Sequence, residues 1–132
     1  PEDRHDKNKV HFPWGTDYPK AKAGNYADES FHEKFPKEKT WTKGYTDGFA
    51  TTAPVASFAP NESGIYDLGG NVWEWCEDWY NSEQKERVLR GASWDHVGNN
   101  SRLLSSYRAH RNGDDRIYYR GGFRCVLSVP AR

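Results

Sequence analysis

Methionine is absent from all 132 residues of this chain. A chain with no methionine, not even an initiator, reads as a processed product or an excised domain. Apolar residues are also scarce, at 35%. No apolar run approaches bilayer-spanning length and no signal peptide is visible, so membrane insertion is not expected. Net charge is missing too: 19 basic side chains balance 19 acidic ones. No whole-chain field draws the protein to nucleic acid, and nucleic acid is not an expected partner. Only Cys76 and Cys125 carry thiols, with neither a CxxC nor a zinc-type spacing, which leaves one disulfide or two buried thiols. The fingerprints GxSxG, HExxH, GxGxxG and the P-loop are all lacking.

What is abundant is aromatic. Rings make up 15% of the chain, with six Trp and eight Tyr. Each buried ring removes a large area from water, so a small, ring-dominated core is expected in place of disorder. Residues 1–10 form a charged arm, and residues 11–132 fit one domain. Ser30 and Glu33 have capping-box spacing for a short helix that stops before Pro36. A turn is expected at Asp47-Gly48, and Pro54 and Pro60 exclude helix around them. Strands are expected from Val72 to Cys76, over RVLRGASW (87–94) and over GFRCVLSV (122–129), with residues 103–108 a short strand or coil. The fold class that follows is α+β, mostly β and coil.

Four acids stand in turns or beside glycine: Asp28, Asp47, Asp67 and Glu74. There, backbone carbonyls can join carboxylates around a hard cation such as Ca²⁺. The alternative is an Asx-turn at Asp67 and a Glu74 paired to an arginine. On a strand, Trp73 and Trp75 share one face and Glu74 and Cys76 the other. Core packing is favoured over a sugar platform for the Trp pair, and inert buried thiols for the cysteines.

The motifs FPWG (12–15), GNYAD (24–28), YTDGFATTAPVASF (45–58), GIYDLGGNVWEWCEDWY (64–80), RVLRGASW (87–94) and GGFRC (121–125) occur in that order. Together they resemble the formylglycine-generating, sulfatase-modifying family, and specifically the C-terminal part of its usual domain. The resemblance implies a C-type lectin-like fold and two structural calcium sites. One would use the Asp28 and Asp47 side chains with the Glu29 and Phe49 carbonyls. The other would use Asp67, the Gly70 and Val72 carbonyls, and Glu74. The family's enzymes oxidise a sulfatase cysteine with copper held by two cysteines shortly after the GGSW-like motif. Here that region reads DHVGNNSRLLSSYR, with His96 and Asn99 or Asn100 near the thiolate positions. Copper(I) requires soft sulfur ligands, so copper is not expected and formylglycine formation is the alternative, not the leading, function.

The region after Glu86 also changes vocabulary. Every Lys lies at or before Lys85 and every Glu at or before Glu86. Between Trp94 and Phe123 there is no Lys, Glu, Gln, Met or Trp. The same resemblance extends to the variable proteins of diversity-generating retroelements. In those, adenine-directed copying of AAC-like codons yields Asn, Asp, His, Tyr, Ser, Gly and Arg but none of the five missing types. The segment is therefore expected to be a polar and aromatic recognition surface for a protein or other surface ligand, like an antibody paratope in chemistry. Asp95, His96, Asn99, Asn100, His110, Asn112, Asp114, Asp115, Tyr118 and Tyr119 are expected to point mostly to solvent on one face. Arg102, Arg108, Arg111, Arg116 and Arg120 add forked donors, about half of them structural.

Overall fold

A computed structural model describes residues 12–15, 23–97, 101–115, 117 and 120–127. The N-terminal arm, Asn99, Asn100, Arg116, Tyr118 and Tyr119 lie outside the described residues.

The molecule is a mixed α+β fold built on an open, curled sheet with little helix. Among the described residues, one helix, α1 (Glu29–Lys34), precedes four strands: β1 (Trp73–Trp79), β2 (Glu86–Arg90), β3 (Ala109–Asn112) and β4 (Gly121–Gly122). A 3-10 turn at Ser101–Leu103 lies between β2 and β3. The sheet order is β3-β2-β1-β4. β1 and β2 pair antiparallel, with Trp75 opposite Leu89, and the register shifts between Trp75 and Trp79. β4 runs parallel to β1, placing Gly121 beside Trp73 and Gly122 beside Glu74.

The ring-rich composition becomes two core clusters. Tyr26, Tyr45, Trp73, Leu89, Ala92 and Leu103 form the larger, with Trp75 packed against it. Ala27, Phe31 and Trp94 form the smaller, flanked by Phe35 and Trp41. The Trp73–Trp75 face is thus core, as the alternation of strand side chains requires. Each large apolar side chain so buried contributes about 1.5–3 kcal/mol of transfer free energy.

With few strands, side chains tie the coil together. Asn71 adopts a left-handed backbone, φ 61°, a conformation Asn tolerates better than most residues. Its amide bonds the Asn25 carbonyl at 2.9 Å, and its carbonyl accepts from Trp94 N at 2.9 Å. Its side chain receives Ala53 N at 2.9 Å and donates to Ala53 O at 3.2 Å. One residue therefore joins four stretches of chain. Gly70 beside it has φ 78°, and a Cβ there would stand 2.2 Å from Asn25 O, so only glycine fits.

Several expectations need correction. The helix is capped by Asp28, not opened by Ser30: the Asp28 side chain accepts from Phe31 N. Asp28 is used because its second oxygen also reaches across to Asp47 N. The strand expected over 87–94 ends at Arg90, where Gly91 turns with φ 89°. Of the strand expected over 122–129, the described residues pair only at Gly121–Gly122. Phe123, Val126 and Leu127 beyond it are exposed. For residues 103–108 the coil alternative holds, and a strand not expected lies later, at Ala109–Asn112. Both cysteines are free thiols, but Cys125 is exposed, so the expectation of two buried thiols holds at most for half-buried Cys76.

Candidate recognition cleft and acid clusters

The three acids at Asp28, Asp47 and Glu29 lock the loop after α1 to the helix start. Asp28 is fully buried. Its oxygens accept from Phe31 N at 2.9 Å and Asp47 N at 2.6 Å. Asp47 accepts from Tyr26 N at 2.9 Å and Phe49 N at 2.7 Å. Glu29 accepts from Trp41 Nε1 at 3.0 Å and Gly44 N at 2.9 Å. Burial pushes the Asp47 carboxyl up to about 7, against the downward pull of the Phe49 and Tyr26 amides, and the neighbouring Asp28 carboxylate adds to the rise. Asp28 and Asp47 thus stand side by side, joined through the Asp47 amide.

The Asp67–Glu74 set is arranged differently. Asp67, itself left-handed at φ 54°, accepts from Ala56 N at 2.6 Å. Glu74 is bound in a fork by Arg124, through Nε at 2.7 Å and through Nη2. The same guanidinium donates to Tyr66 O at 2.9 Å and Asp67 O at 2.8 Å. The charge a cation would bring to Glu74 is thus supplied by Arg124, the arginine pairing that was the alternative for this acid. Arg124 sits in the GGFRC motif, fifty residues from Glu74 in sequence, so no local pattern pairs them. Among the described residues no group of three or more His, Cys, Asp or Glu side chains gathers as a metal site. Two carboxylates joined by two carbonyls would not form such a group.

A cleft of about 450 Å³ opens on the sheet face formed by β1, β2 and β3. Trp73, Leu89, Ala109 and Ile117 give it an apolar floor. His96, Arg102 and Tyr107 form one wall, and His110, Arg111 and Arg120 the rim. Trp73 meets His96 edge-on at 5.4 Å and Tyr107 at 6.3 Å.

His96 is fixed on both nitrogens. Arg102 Nη1 lies 3.2 Å from its Nε2. Guanidinium nitrogens only donate, so in the neutral ring Nε2 accepts, while the Ser93 amide points at Nδ1 from 3.3 Å. Nδ1 is 3.2 Å from Asp95 Oδ1 and 3.0 Å from Ser93 Oγ. Ser93 Oγ donates to Asp95 Oδ1 at 2.6 Å, and Arg120 reaches Asp95 Oδ2 at 2.8 Å. Burial pushes the Asp95 carboxyl up, but the hydrogen bonds of His96 and Ser93 and the charges of His96 and Arg120 outweigh it and hold the group at about 2.

The expected solvent-facing set therefore divides. His96 is buried and the Asp95 side chain is only 14% exposed, which corrects the expectation for both. The physical reason is long-range: the Ala27 amide bonds His96 O at 3.0 Å, and Ala27 bridges Val97, pulling this stretch into the core. Asn112, Asp114 and Asp115 are exposed. His110 is half-buried, stacked on Tyr80 at 4.1 Å, with Nδ1 2.9 Å from Glu86 Oε2. Arg108 is structural, donating to the Trp79 and Tyr80 carbonyls at 3.3 and 3.1 Å. Arg90, which no sequence pattern singled out, holds the Ser105 and Tyr107 carbonyls at 3.1 Å each and so positions the wall.

Comparison with known proteins agrees with the motif order. Residues 4–129 match the sulfatase-modifying factor enzyme 1-like domain. The chain is 32% identical over 125 residues to the formylglycine-generating enzyme of Thermomonospora curvata, covering 95% of this chain and 36% of that protein. It is 37% identical over 123 residues to the inactive Cα-formylglycine-generating enzyme 2 of Mus musculus, covering 89% of this chain and 37% of that one. Among solved structures it resembles Treponema denticola variable protein 1, with a TM-score of 0.50 and 28% identity over 69% of this chain and 36% of that chain. The chain spans a little over a third of the length of these curated relatives. Among the described residues no helix is long and apolar enough to cross a membrane. The motifs, their order and the matched span together place this chain in the sulfatase-modifying factor enzyme 1-like family, whose members include both catalytic and inactive proteins.

Proposed function

We propose that this chain is a non-catalytic ligand-binding domain on a C-type lectin-like scaffold, recognising its ligand through the cleft over Trp73 and the surface of residues 95–120. The observation that carries this reading is His96. It stands near where the resemblance places copper-binding thiolates, and it is fixed by Asp95, Ser93 and Arg102. Neither cysteine lines the cleft. An imidazole and a carboxylate do not offer the soft sulfur pair that copper(I) requires. Formylglycine formation on a Cys-containing sulfatase peptide, with copper supplied, is expected to be undetectable, and robust turnover would overturn the reading.

Calcium is proposed as a structural ion at Asp28 and Asp47, with the Glu29 and Phe49 carbonyls. Two adjacent buried carboxylates, one driven up to about 7, support a cation there. At Asp67, Gly70, Val72 and Glu74 a calcium ion would have to displace Arg124.

A second reading is that residues 95–120 are diversified. The missing Lys, Glu, Gln, Met and Trp, and the likeness to a variable protein, favour it. Under this reading, the encoding locus holds a reverse transcriptase and a near-identical repeat differing only at adenines. A display library randomised at His110, Asn112, Asp114 and Asp115 tests the recognition surface directly: folded binders should emerge readily, and loss of folding in most members would sink it.

A further inference from the structure

The charge of the cleft points to a class of ligand. The chain as a whole is neutral. Among the described residues, the cleft is lined by Arg102, Arg111, Arg120, His96 and His110 and by no carboxylate. The nearest acids offset part of that charge, at Arg120 and at His110. Asp95 lies behind the wall, engaged by Ser93, His96 and Arg120. Glu86 lies against His110. A concentration of guanidinium over an apolar, ring-bearing floor selects for two things at once. The floor of Trp73, Leu89 and Ile117 takes a flat or branched apolar body, and the rim takes a negative charge by forked hydrogen bonds. The volume of about 450 Å³ suits a ligand of one or two rings.

We propose that this cleft binds a small organic anion: a carboxylate, sulfate or phosphate group carried on an apolar ring. The proposal rests on the binding-domain reading above and names the ligand class of that same site. Arg111 is the discriminating residue. Its side chain is exposed, and its guanidinium donates to the neighbouring His110 carbonyl at 3.1 Å.

The test uses the whole chain with benzoate, phenyl sulfate and phenyl phosphate as probes, and benzyl alcohol, benzylamine and inorganic sulfate as controls. Calorimetry gives affinity, and amide NMR shifts locate the site. The ring anions are expected to bind with Kd on the order of 1 mM or tighter, shifting resonances of β2 and β3. Benzyl alcohol and inorganic sulfate are expected to bind at least about tenfold more weakly, since each lacks one half of the recognition. The preferred anion among the three probes identifies the charged group. R111E is expected to weaken ring-anion binding at least about tenfold with unchanged melting temperature, and R111K to restore part of it. Equal binding of benzyl alcohol, preferential binding of benzylamine, or an unchanged affinity in R111E overturns the proposal. So does absence of ring-anion binding at roughly 10 mM. In that last case the binding-domain reading is judged separately by the randomised-surface selection, whose binders do not depend on this cleft being anion-selective.

Discussion

Asp47 and Asp95 are both largely shielded from water, one in the loop after α1 and the other beside the cleft, yet they titrate in opposite directions. Burial pushes both carboxyls up, since a charge loses its hydration in either place. Around Asp47 the neighbouring charge is another carboxylate, Asp28, and the group ends at about 7. Around Asp95 the neighbours are His96, Ser93 and Arg120, and the group ends at about 2. Burial is the largest influence on both; the hydrogen bonds and charges of His96, Ser93 and Arg120 outweigh it at Asp95, whereas the Phe49 and Tyr26 amides do not at Asp47, where Asp28 adds to the rise. The first cluster is a place where a cation would relieve repulsion, whereas the second already has its cation.

The largest test removes the anchor of the first cluster. Asp28→Ala deletes the α1 cap and leaves the Asp47 amide without its partner, in a fully buried position. Destabilisation of about 2–4 kcal/mol is expected in urea unfolding. A loss under 1 kcal/mol would mean that the acid pair is incidental to the fold.

The comparison sharpens with pH and calcium. The folded value of Asp47, about 7, lies above its unfolded value of about 4, so the native state holds the extra proton between them. In calcium-free buffer its contribution to stability is therefore greatest below about pH 4 and declines as pH rises through about 7. Calcium bound at Asp28 and Asp47 should oppose that decline, by about 1.4 kcal/mol at ten times its Kd. Thermal melts from pH 5 to 8, with chelator or with calcium, in the native chain and Asp47→Asn, check this. Identical curves for the two proteins would contradict the assignment.

For Asp95 the sign reverses. Its folded value of about 2 lies below the unfolded value of about 4, so its stabilisation is present above about pH 4 and is lost as pH falls through about 2. Asp95→Asn should be less stable than the native chain at pH 6, and the gap should close toward pH 2. A gap independent of pH would show that packing, not charge, holds the wall.

This contrast also marks what the sequence could reveal. Asp28, Asp47, Asp67 and Glu74 stand out locally, because glycine and turn residues flank them. The Trp73–Trp75 core face followed from alternation alone. Asp95 and His96 were misplaced because nothing within DHVGNN reports that Ala27, almost seventy residues earlier, bonds the His96 carbonyl. β3 was missed because RAHRN lacks the branched and aromatic residues that mark strands, and is a strand only by pairing with β2. The apolar run after Gly122 looked like a strand because composition cannot show that β4 stops after two residues.

The smallest expected effect bears directly on the recognition surface. If the exposed part of the segment is free to vary, its side chains should hold nothing in place. Asn112 and Asp114 meet only through a local 3.3 Å turn contact, and Asp115 is exposed. Single alanine substitutions at Asp114 and Asp115 should therefore change stability by no more than about 0.5 kcal/mol, against the several-fold larger loss at Asp28. Urea midpoints of the two variants beside Asp28→Ala make the comparison within one protein. A loss above about 1.5 kcal/mol at either exposed acid would give that residue a structural task. The segment could not then be a surface that tolerates wholesale change, and the division between a fixed inner wall and a variable outer rim would fail at that residue.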